Sequence, residues 1–135
     1  MKFIYKDTKN PNPSEVLQLY GDVKWSNYTD KPQSLFKGIK NSLEVITAWQ
    51  DDKLVGLIRA VGDGESILYI QDILVLKDYK RNGIGTELVK RLLAKYPHIR
   101  QKVLLTDDSE ETRGFYESLG FKAAMKGLIS FVKFD

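Results

Sequence analysis

The segment IQDILVLKDYKRNGIGTELVKRLL, residues 70–93, decides the fold of this chain. An apolar run typical of a strand comes first, and an apolar-periodic run typical of a helix comes last. Between them lies the basic, glycine-punctuated loop KRNGIG, residues 80–85. The segment therefore predicts a strand–loop–helix unit. It raises two questions: what the loop holds, and why the strand carries Gln71 and Asp72 among apolar residues.

The glycine loop is suited to holding a phosphate group. Gly83 and Gly85 remove two Cβ atoms, so the main chain can approach an anion closely. A helix that begins here points its free N–H groups and its positive dipole end at the same place. Lys80 and Arg81 add two cationic donors. An ordinary turn before a helix is the alternative, and the G-x-x-x-x-G-K-[ST] loop of nucleoside-triphosphate sites does not fit the sequence.

Length and composition limit the classes of function. The chain of 135 residues predicts a single domain over 1–135, and 42% hydrophobic with 29% charged residues is typical of a soluble globular protein. It has no cysteine, which excludes disulfides, thiolate zinc sites and a cysteine nucleophile, and one histidine, His98, excludes a multi-histidine metal site. No apolar run approaches the about 20 residues that span a bilayer, and the N-terminus does not resemble a secretory signal. We therefore expect a cytoplasmic protein without a membrane partner.

Positive charge is concentrated around the glycine loop. Residues 77–102 carry eight Lys and Arg and two acidic residues, whereas the whole chain has a net charge of only +3. A basic patch attracts anions, and both nucleic acid and a phosphorylated small molecule are candidates. A solvated helix face is the alternative. We expect no nucleic-acid partner, because the sequence shows no recognised binding motif for one.

Hydrophobic periodicity and turn signals predict the element order β-α-α-β-β-β-α-β-α-β-β. Four helices are predicted: one that begins at Ser14, one over 34–43, one over 84–96, and one that ends at Gly120. The predicted strands cover the N-terminus, 44–50, 54–61, 66–76, 102–106, 121–125 and 128–134. This order indicates an α+β fold with a mainly antiparallel sheet, about four flanking helices and one parallel β-α-β step. A repeating βαβ dinucleotide fold does not match it.

Two motifs make the chain resemble a known family. The strand residues ILV, 73–75, lead into KRNGIG, 80–85, and the segment SEETRGFYESLGF spans 109–121. Together, in this order and at this separation, they resemble the two core motifs of the GNAT superfamily of acetyl-CoA-dependent N-acetyltransferases. The GNAT resemblance covers most of the chain and predicts a GNAT-like mixed sheet.

The resemblance implies an acyltransferase that moves an acetyl group from acetyl-CoA to a primary amine. Backbone groups of the strand would pair with the pantetheine arm, and loop amides would hold the pyrophosphate. Tyr116 would protonate the departing thiolate; the alternative is a core tyrosine that packs one face of a short helix. The implied cofactor-binding residues are Ile73, Leu74, Val75, Lys80, Arg81, Asn82, Gly83, Ile84, Gly85, Thr86 and Ser109.

Three positions depart from the family pattern. Lys80 stands where Gln or Arg is usual, which keeps a cation but loses planar geometry. Ser109 and Thr112 replace the usual Asn and Ala, which puts a side-chain amide contact to the cofactor in doubt. The glycines of the loop and Tyr116 are kept.

Asp72 is the candidate base that takes the proton from the amine, directly or through water. An unpaired carboxylate inside a sheet is costly, so a salt bridge with Arg59 is the structural alternative. If the turn at 62–65 closes a regular hairpin, Arg59 lies opposite about Leu68. That is roughly 13 Å from Asp72, too far for a direct bridge unless a bulge intervenes. Gln71 points to the opposite face and is predicted to be a hydrogen-bonding anchor.

The acceptor is less determined by the sequence. The N-terminal helices would form its wall, with Trp25, Tyr28 and Phe36 either facing an aromatic or cationic amine or simply packing the core. Segments of the chain are similar to relatives of serotonin-type arylalkylamine acetyltransferases, which suggests a small amine. A protein or peptide amine, a non-catalytic acyl-CoA-binding module and a homodimer are left open.

Overall fold

The computed structural model describes residues 2–123 and 126–135, which form two compact units that meet in sequence between Leu105 and Thr106. The elements of the first unit are β1 (Ile4–Asp7), α1 (Pro13–Asp22), α2 (Ser26–Thr29), α3 (Pro32–Lys40), β2 (Glu44–Gln50), β3 (Lys53–Gly62), β4 (Ile67–Val75), a 3-10 turn (Lys77–Tyr79), α4 (Ile84–Lys95) and β5 (Gln101–Leu104). The second unit contains α5 (Glu110–Ser118). No helix in these ranges is long and apolar enough to cross a bilayer.

The first unit is built on a five-stranded sheet in the order β1-β2-β3-β4-β5. Neighbouring strands are antiparallel, except that β4 and β5 are parallel and are joined through α4. The predicted α+β class, the mainly antiparallel sheet and the single parallel β-α-β step are confirmed. The prediction of a single domain over 1–135 stays a prediction.

The core of the first unit lies around β3. All residues from Leu54 to Ala60 are buried, as expected of a strand that is covered on both faces. Gly56 allows the close packing of this strand, because a Cβ here would lie 2.8 Å from Cγ2 of Ile84. The start of α4 can therefore sit directly against β3, which fixes where the glycine loop ends.

Helix α1 shows how local signals set a boundary. The side chain of Asn12 accepts a hydrogen bond from the backbone N–H of Glu15, and Pro13 occupies the first helical position. Proline suits that position because its missing N–H would be unsatisfied anyway. The helix therefore begins one residue before the predicted Ser14.

Three sequence predictions are wrong. Helix α3 ends at Lys40, before the predicted 43, and a short helix, α2, lies between the first two predicted helices, where none was predicted. The two C-terminal strands are absent from the described residues: 121–123 and 126–135 contain no strand, and 124–125 lie outside the described residues. The segment 128–134 has strong strand propensity, but a strand needs a hydrogen-bonded neighbour, and propensity alone cannot supply one.

Candidate functional site

The edge of β4 that faces β5 is open along its second half. Within the described part of the chain, the parallel pairing of these strands reaches only to Ile70 opposite Leu104. On its other edge β4 stays paired with β3 as far as Val75. Residues 71–75 therefore offer backbone N–H and C=O groups to which an extended ligand can bond as an added strand. The predicted pantetheine-binding residues lie on this open edge.

The glycine loop leads from this edge to the N-terminus of α4. Arg81 and Gly83 have φ angles of 67° and 76°, in the left-handed region. A left-handed conformation costs an ordinary side chain roughly 1–2 kcal/mol, and strain of this kind concentrates at ligand-binding sites. No side chain caps α4, so the N–H groups of residues 84–86 are not taken by a capping side chain. The loop thus presents free amides and a positive helix end to an anion.

Side-chain hydrogen bonds hold the loop backbone in place. The amide of Asn82 donates to the carbonyl oxygen of Tyr79 at 2.9 Å, and the Tyr79 hydroxyl donates to Oε1 of Gln50 at 2.5 Å. Lys80 and Arg81 are exposed on the outside of the loop. The loop backbone is therefore held by side-chain hydrogen bonds, while the two cationic side chains are exposed to solvent.

Asp72 is the centre of a buried polar cluster on β4. Its carboxylate accepts from Nε of Arg59 at 2.6 Å, from the Tyr20 hydroxyl at 2.9 Å and from the Tyr28 hydroxyl at 2.8 Å. Only 3% of the residue's surface is exposed. Gln71 is exposed and donates to the Tyr28 oxygen at 2.9 Å, which agrees with its predicted anchoring role. The cluster ties β3 and β4 to α1 and α2.

The predicted separation of Arg59 and Asp72 is wrong, because the hairpin register differs from the regular one. The loop after Gly62 is longer than a tight turn, and Gly62 itself pairs with Leu68. This moves the residue opposite Arg59 from Leu68 to Gln71, and a bulge directly after Arg59 moves it on to Asp72. The salt bridge that the sequence treated as the structural alternative is present.

Burial and charge fix the protonation of the cluster. Burial, the largest single effect, lowers the pKa of the Arg59 guanidinium, but the charge and hydrogen bond of Asp72, together with Tyr20 and Tyr28, outweigh it and raise that pKa above its usual value. Burial raises the pKa of the Tyr20 and Tyr28 hydroxyls, and Asp72 raises both further. Arg59 therefore keeps its charge and both tyrosines keep the protons that they donate.

Aromatic rings cover this cluster on the side of α1 and α2. The ring of Tyr28 lies 5.2 Å from that of Tyr20 and 6.1 Å from that of Trp25, centroid to centroid. Trp25 is 37% exposed, which leaves part of its face open. Phe36 is not part of this group: it lines another groove, of about 260 Å³, with Lys9, Asn10, Pro11, Pro13, Val16 and Ile39. Tyr20 is the member that the sequence prediction missed, because a tyrosine at an apolar helix position looks like an ordinary core residue.

The second unit contains Tyr116 on α5. The side chain is buried, and its ring makes edge contacts with the rings of Phe115 at 5.0 Å and Phe121 at 5.9 Å. Burial, and then the negative charge of Asp107, raise the pKa of the Tyr116 hydroxyl to about 12. The phenol is therefore protonated across the neutral range and has a hydrogen to donate there.

Ser109 caps α5. Its Oγ accepts from the backbone N–H of Thr112 at 3.2 Å and donates to Oγ1 of Thr112 at 2.9 Å. Two of the three residues that depart from the expected pattern, Ser109 and Thr112, thus stabilise the helix start together. The predicted site residues are thus divided between the units: Asp72, 73–75 and 80–86 lie in the first, and Ser109 and Tyr116 lie in the second.

Comparison with known proteins identifies relatives along nearly the whole chain. A family model described as an acetyltransferase (GNAT) domain matches residues 10–128. A GNAT family acetyltransferase from Streptococcus pneumoniae has a similar structure, with a TM-score of 0.82, 34% identity, and coverage of 98% of this chain and 99% of that one. The N-acetyltransferase ycf52 of Pyropia yezoensis is 28% identical over 125 residues, 89% of this chain and 71% of its own.

Some relatives are much longer than this chain. The chloroplastic GCN5-related N-acetyltransferase 2 of Arabidopsis thaliana is 35% identical over 80 residues, which is 58% of this chain and 31% of that protein. Of the relatives matched over 80 residues, the chain covers less than half of the length.

Proposed function

The chain belongs to the GNAT acetyltransferase family, and on that premise we propose that it transfers the acetyl group of acetyl-CoA to a primary amine of a small molecule. One observation carries the proposal. The open edge of β4 at residues 71–75 runs into a loop of left-handed residues and an uncapped helix N-terminus. Acetyl-CoA has an arm with amide groups followed by a pyrophosphate, and these would meet the open strand edge and the helix N-terminus in that order.

The two parts of acetyl-CoA would meet different chemistry on this surface. The pantetheine arm carries amides, and the backbone of Ile73, Leu74 and Val75 would bond to them as to a neighbouring strand. The pyrophosphate would lie on the amides of residues 81–86 at the positive end of α4. Lys80 and Arg81 supply charge from the solvent side, where their flexibility lets them follow the phosphates.

The reaction forms a C–N bond and breaks a C–S bond. The lone pair of the neutral amine attacks the thioester carbon, and negative charge develops on the carbonyl oxygen. Collapse of this intermediate expels the sulfur as thiolate. The nitrogen loses one proton and the sulfur gains one, so the products are the amide and coenzyme A.

Tyr116 is proposed to donate a hydrogen bond to the sulfur of acetyl-CoA. Its pKa of about 12 keeps the phenol protonated, so it has a hydrogen to offer at neutral pH. A thiol has a pKa of about 8.5, so a thiolate is a weaker base than this phenolate. We therefore assign to Tyr116 a hydrogen bond that stabilises the departing thiolate, with the proton shed by nitrogen completing the thiol.

Asp72 is proposed to position the acceptor wall and not to act as the base. Its carboxylate already accepts three hydrogen bonds and pairs with Arg59, so its oxygens are engaged within the cluster. The role of base remains an alternative, and stability and turnover measurements on the same variant separate the two. The partly open ring of Trp25, beside Tyr28, would then recognise the amine through its aromatic face.

Hydrogen exchange measured residue by residue tests the proposed cofactor site. Addition of acetyl-CoA should slow exchange of the free backbone amides within 73–75 and 81–86, because the ligand becomes their hydrogen-bond partner. The amides of β1, at the far edge of the sheet, serve as the internal control and should not change. Protection that appears elsewhere, or nowhere, would reject this site.

Two rival functions have distinct signatures. A non-catalytic acyl-CoA-binding module would show the same protection but release no coenzyme A with any amine. An enzyme that acts on a protein or peptide amine would be inactive on small amines and active on peptides with free amino groups. An amine panel that contains both classes therefore separates all three.

A further inference from the structure

A groove lies between the start of α1 and one face of α3. Its walls are the loop after β1, the first turn of α1 and part of α3, and its volume is about 260 Å³. Five of its seven lining residues are apolar. This α1–α3 groove shares no lining residue with the Asp72 cluster, or with the strand edge and loop proposed for acetyl-CoA.

The base of the α1–α3 groove is apolar and held in place. Val16 and Ile39 are each 1% exposed, and Pro11 is also buried. Between the two prolines of the loop, the side chain of Asn12 accepts from the backbone N–H of Glu15 and so ties the loop to α1. A site that is formed before its ligand arrives loses little ordering entropy on binding.

The volume of the groove selects the size of its ligand. An apolar cavity of about 150 Å³ is large enough for benzene. A volume of about 260 Å³ therefore accommodates one aromatic ring with an arm of a few atoms, and it is below the range of about 300–1,000 Å³ for drug-sized ligands. The half-buried ring of Phe36 forms part of the wall, and it can make the edge or offset contact that aromatic rings prefer.

Two lysines place positive charge at the rim of the groove. Lys9 is one of the lining residues and is exposed. Lys40, also exposed, follows Phe36 by four positions on α3, so the two side chains are neighbours on the helix surface. Among residues 2–123 and 126–135, neither lysine takes part in an ion pair. Both charges are therefore available to an anionic ligand.

The acidic side chains nearest in sequence to the groove have partners outside it. Asp7 is paired with Lys95 on α4. Oε1 of Glu15 accepts from the backbone N–H of Leu54 at 2.9 Å. The rim is therefore positive above an apolar base, a combination that favours a ligand with an apolar body and one negative group.

We infer that the α1–α3 groove binds a small aromatic monocarboxylate. The ring lies on the apolar base against Phe36, and the carboxylate is held at the rim by Lys9 and Lys40. A phosphate monoester would bring nearly two charges beside the same apolar base, at a larger desolvation cost. This inference does not depend on acetyl transfer, because none of these residues belongs to the proposed acceptor or cofactor surface.

Titration of the full chain with 3-phenylpropionate, followed by heteronuclear NMR, tests the inference. A ligand of this size has an expected dissociation constant of about 0.1–5 mM. The backbone amides of residues 9–10, 14–16 and 36–39 should shift along one common saturation curve. The neutral analogue 3-phenylpropanamide has nearly the same shape without the charge and should bind about 3- to 10-fold more weakly. Propionate lacks the ring and should not saturate the site below about 20 mM.

Substitutions separate the charged and the aromatic part of the site. The double substitution Lys9→Gln and Lys40→Gln should weaken binding of 3-phenylpropionate by about 3- to 10-fold and leave binding of the neutral amide unchanged. Phe36→Leu should weaken binding of both ligands by about 3- to 10-fold, because the contact between the rings is lost. Lys90→Gln is the matched control for charge and should change neither affinity.

The control lysine lies on the other side of the sheet. Residues three apart on a strand point to opposite faces. On β3, a Cβ at Gly56 would contact Ile84 of α4, whereas the Arg59 guanidinium lies 3.4 Å from the position of a Cβ at Gly38 on α3. Lys90 is exposed on α4 and is therefore separated from the groove by the sheet.

Three results would each overturn the inference: no saturating shift with 3-phenylpropionate below about 20 mM, shifts centred on residues outside the groove, or equal affinity for the acid and the amide. Saturation by a short acidic peptide that contains phenylalanine, without binding of the small acid, would overturn it as well and indicate a macromolecular partner. Because these measurements do not involve acetyl-CoA, either result leaves the acetyltransferase proposal to be tested separately.

Discussion

The ion pair between Arg59 and Asp72 gives the sharpest prediction on stability. In the substitution Asp72→Asn, one carboxylate oxygen becomes an NH2 group that cannot accept, so only one of the two tyrosine hydroxyls keeps its acceptor in place. The buried guanidinium also loses its counter-charge. The Arg59 side chain is 8% exposed, so water cannot replace the lost carboxylate. Removal of one partner from a buried pair typically costs 3–5 kcal/mol, and we expect about that loss in the free energy of unfolding.

Urea unfolding followed by circular dichroism measures this loss, and thermal unfolding checks it. For a domain of this size about 3–5 kcal/mol corresponds to a fall in Tm of roughly 10–20 °C. The control is Asp78→Asn, which removes the same charge from an exposed position and should change stability by less than about 0.5 kcal/mol. Adding Arg59→Leu to Asp72→Asn removes the orphaned charge and should recover much of the lost stability.

The opposite pattern would refute this reasoning. If Asp72→Asn keeps the urea midpoint of the unsubstituted protein but lowers kcat by about 100-fold or more, Asp72 is the base and not a positioning residue.

Three further predictions concern the glycine loop, the packing of β3 against α4, and Tyr116. Gly83→Ala should weaken acetyl-CoA binding in calorimetry by about 5- to 30-fold, because its φ of 76° costs an alanine roughly 1–2 kcal/mol; Gly114→Ala, within α5, is the control and should leave affinity unchanged. Gly56→Ala should lower the free energy of unfolding by about 1–3 kcal/mol, because its Cβ would press on Ile84; an unchanged urea midpoint would contradict this packing. Tyr116→Phe should lower kcat while acetyl-CoA affinity is kept. The proton of the Tyr116 hydroxyl is lost only as pH rises through about 12. The kcat of the unsubstituted enzyme should therefore not fall because of this residue between about pH 7 and pH 10. A decrease of kcat in that pH range that disappears in Tyr116→Phe would exclude a protonated Tyr116 hydroxyl.

Local signals in the sequence were sufficient for the strand–loop–helix unit. The glycines at 83 and 85 and the apolar period of α4 act over a few residues, so their effect can be predicted without the rest of the chain. The open edge of β4 could not be predicted in this way. The open edge depends on the residue at which the pairing of β4 with β5 ends. These two strands are separated in sequence by α4, so no local signal sets the length of their pairing.

The register of the β3–β4 hairpin shows why the Asp72 cluster was not predicted. The loop between these strands is longer than a tight turn, and Asp63 stabilises it by accepting from the backbone N–H groups of Glu65 and Ser66 at 2.9 and 2.8 Å. Loop length and the bulge after Arg59 together decide which residue faces Arg59. Neither leaves a clear sequence signal, although Asp at the start of a turn is a common one.

The C-terminal segment shows the reverse case. Its composition predicts a strand, but a strand forms only where a neighbouring strand supplies hydrogen bonds, and the segment itself does not encode that neighbour. Strand propensity records suitability for a pleated surface and not the presence of a partner. The predicted strand is therefore not found among residues 126–135.

Incubation of the protein with acetyl-CoA and a panel of primary amines tests the central claim most directly. Free coenzyme A and the acetylated amine are measured in the same samples. We predict equal amounts of both products with at least one small amine, and a lower rate for Tyr116→Phe. Binding of acetyl-CoA without any acetylated product, across small amines and peptides alike, would contradict the proposed function.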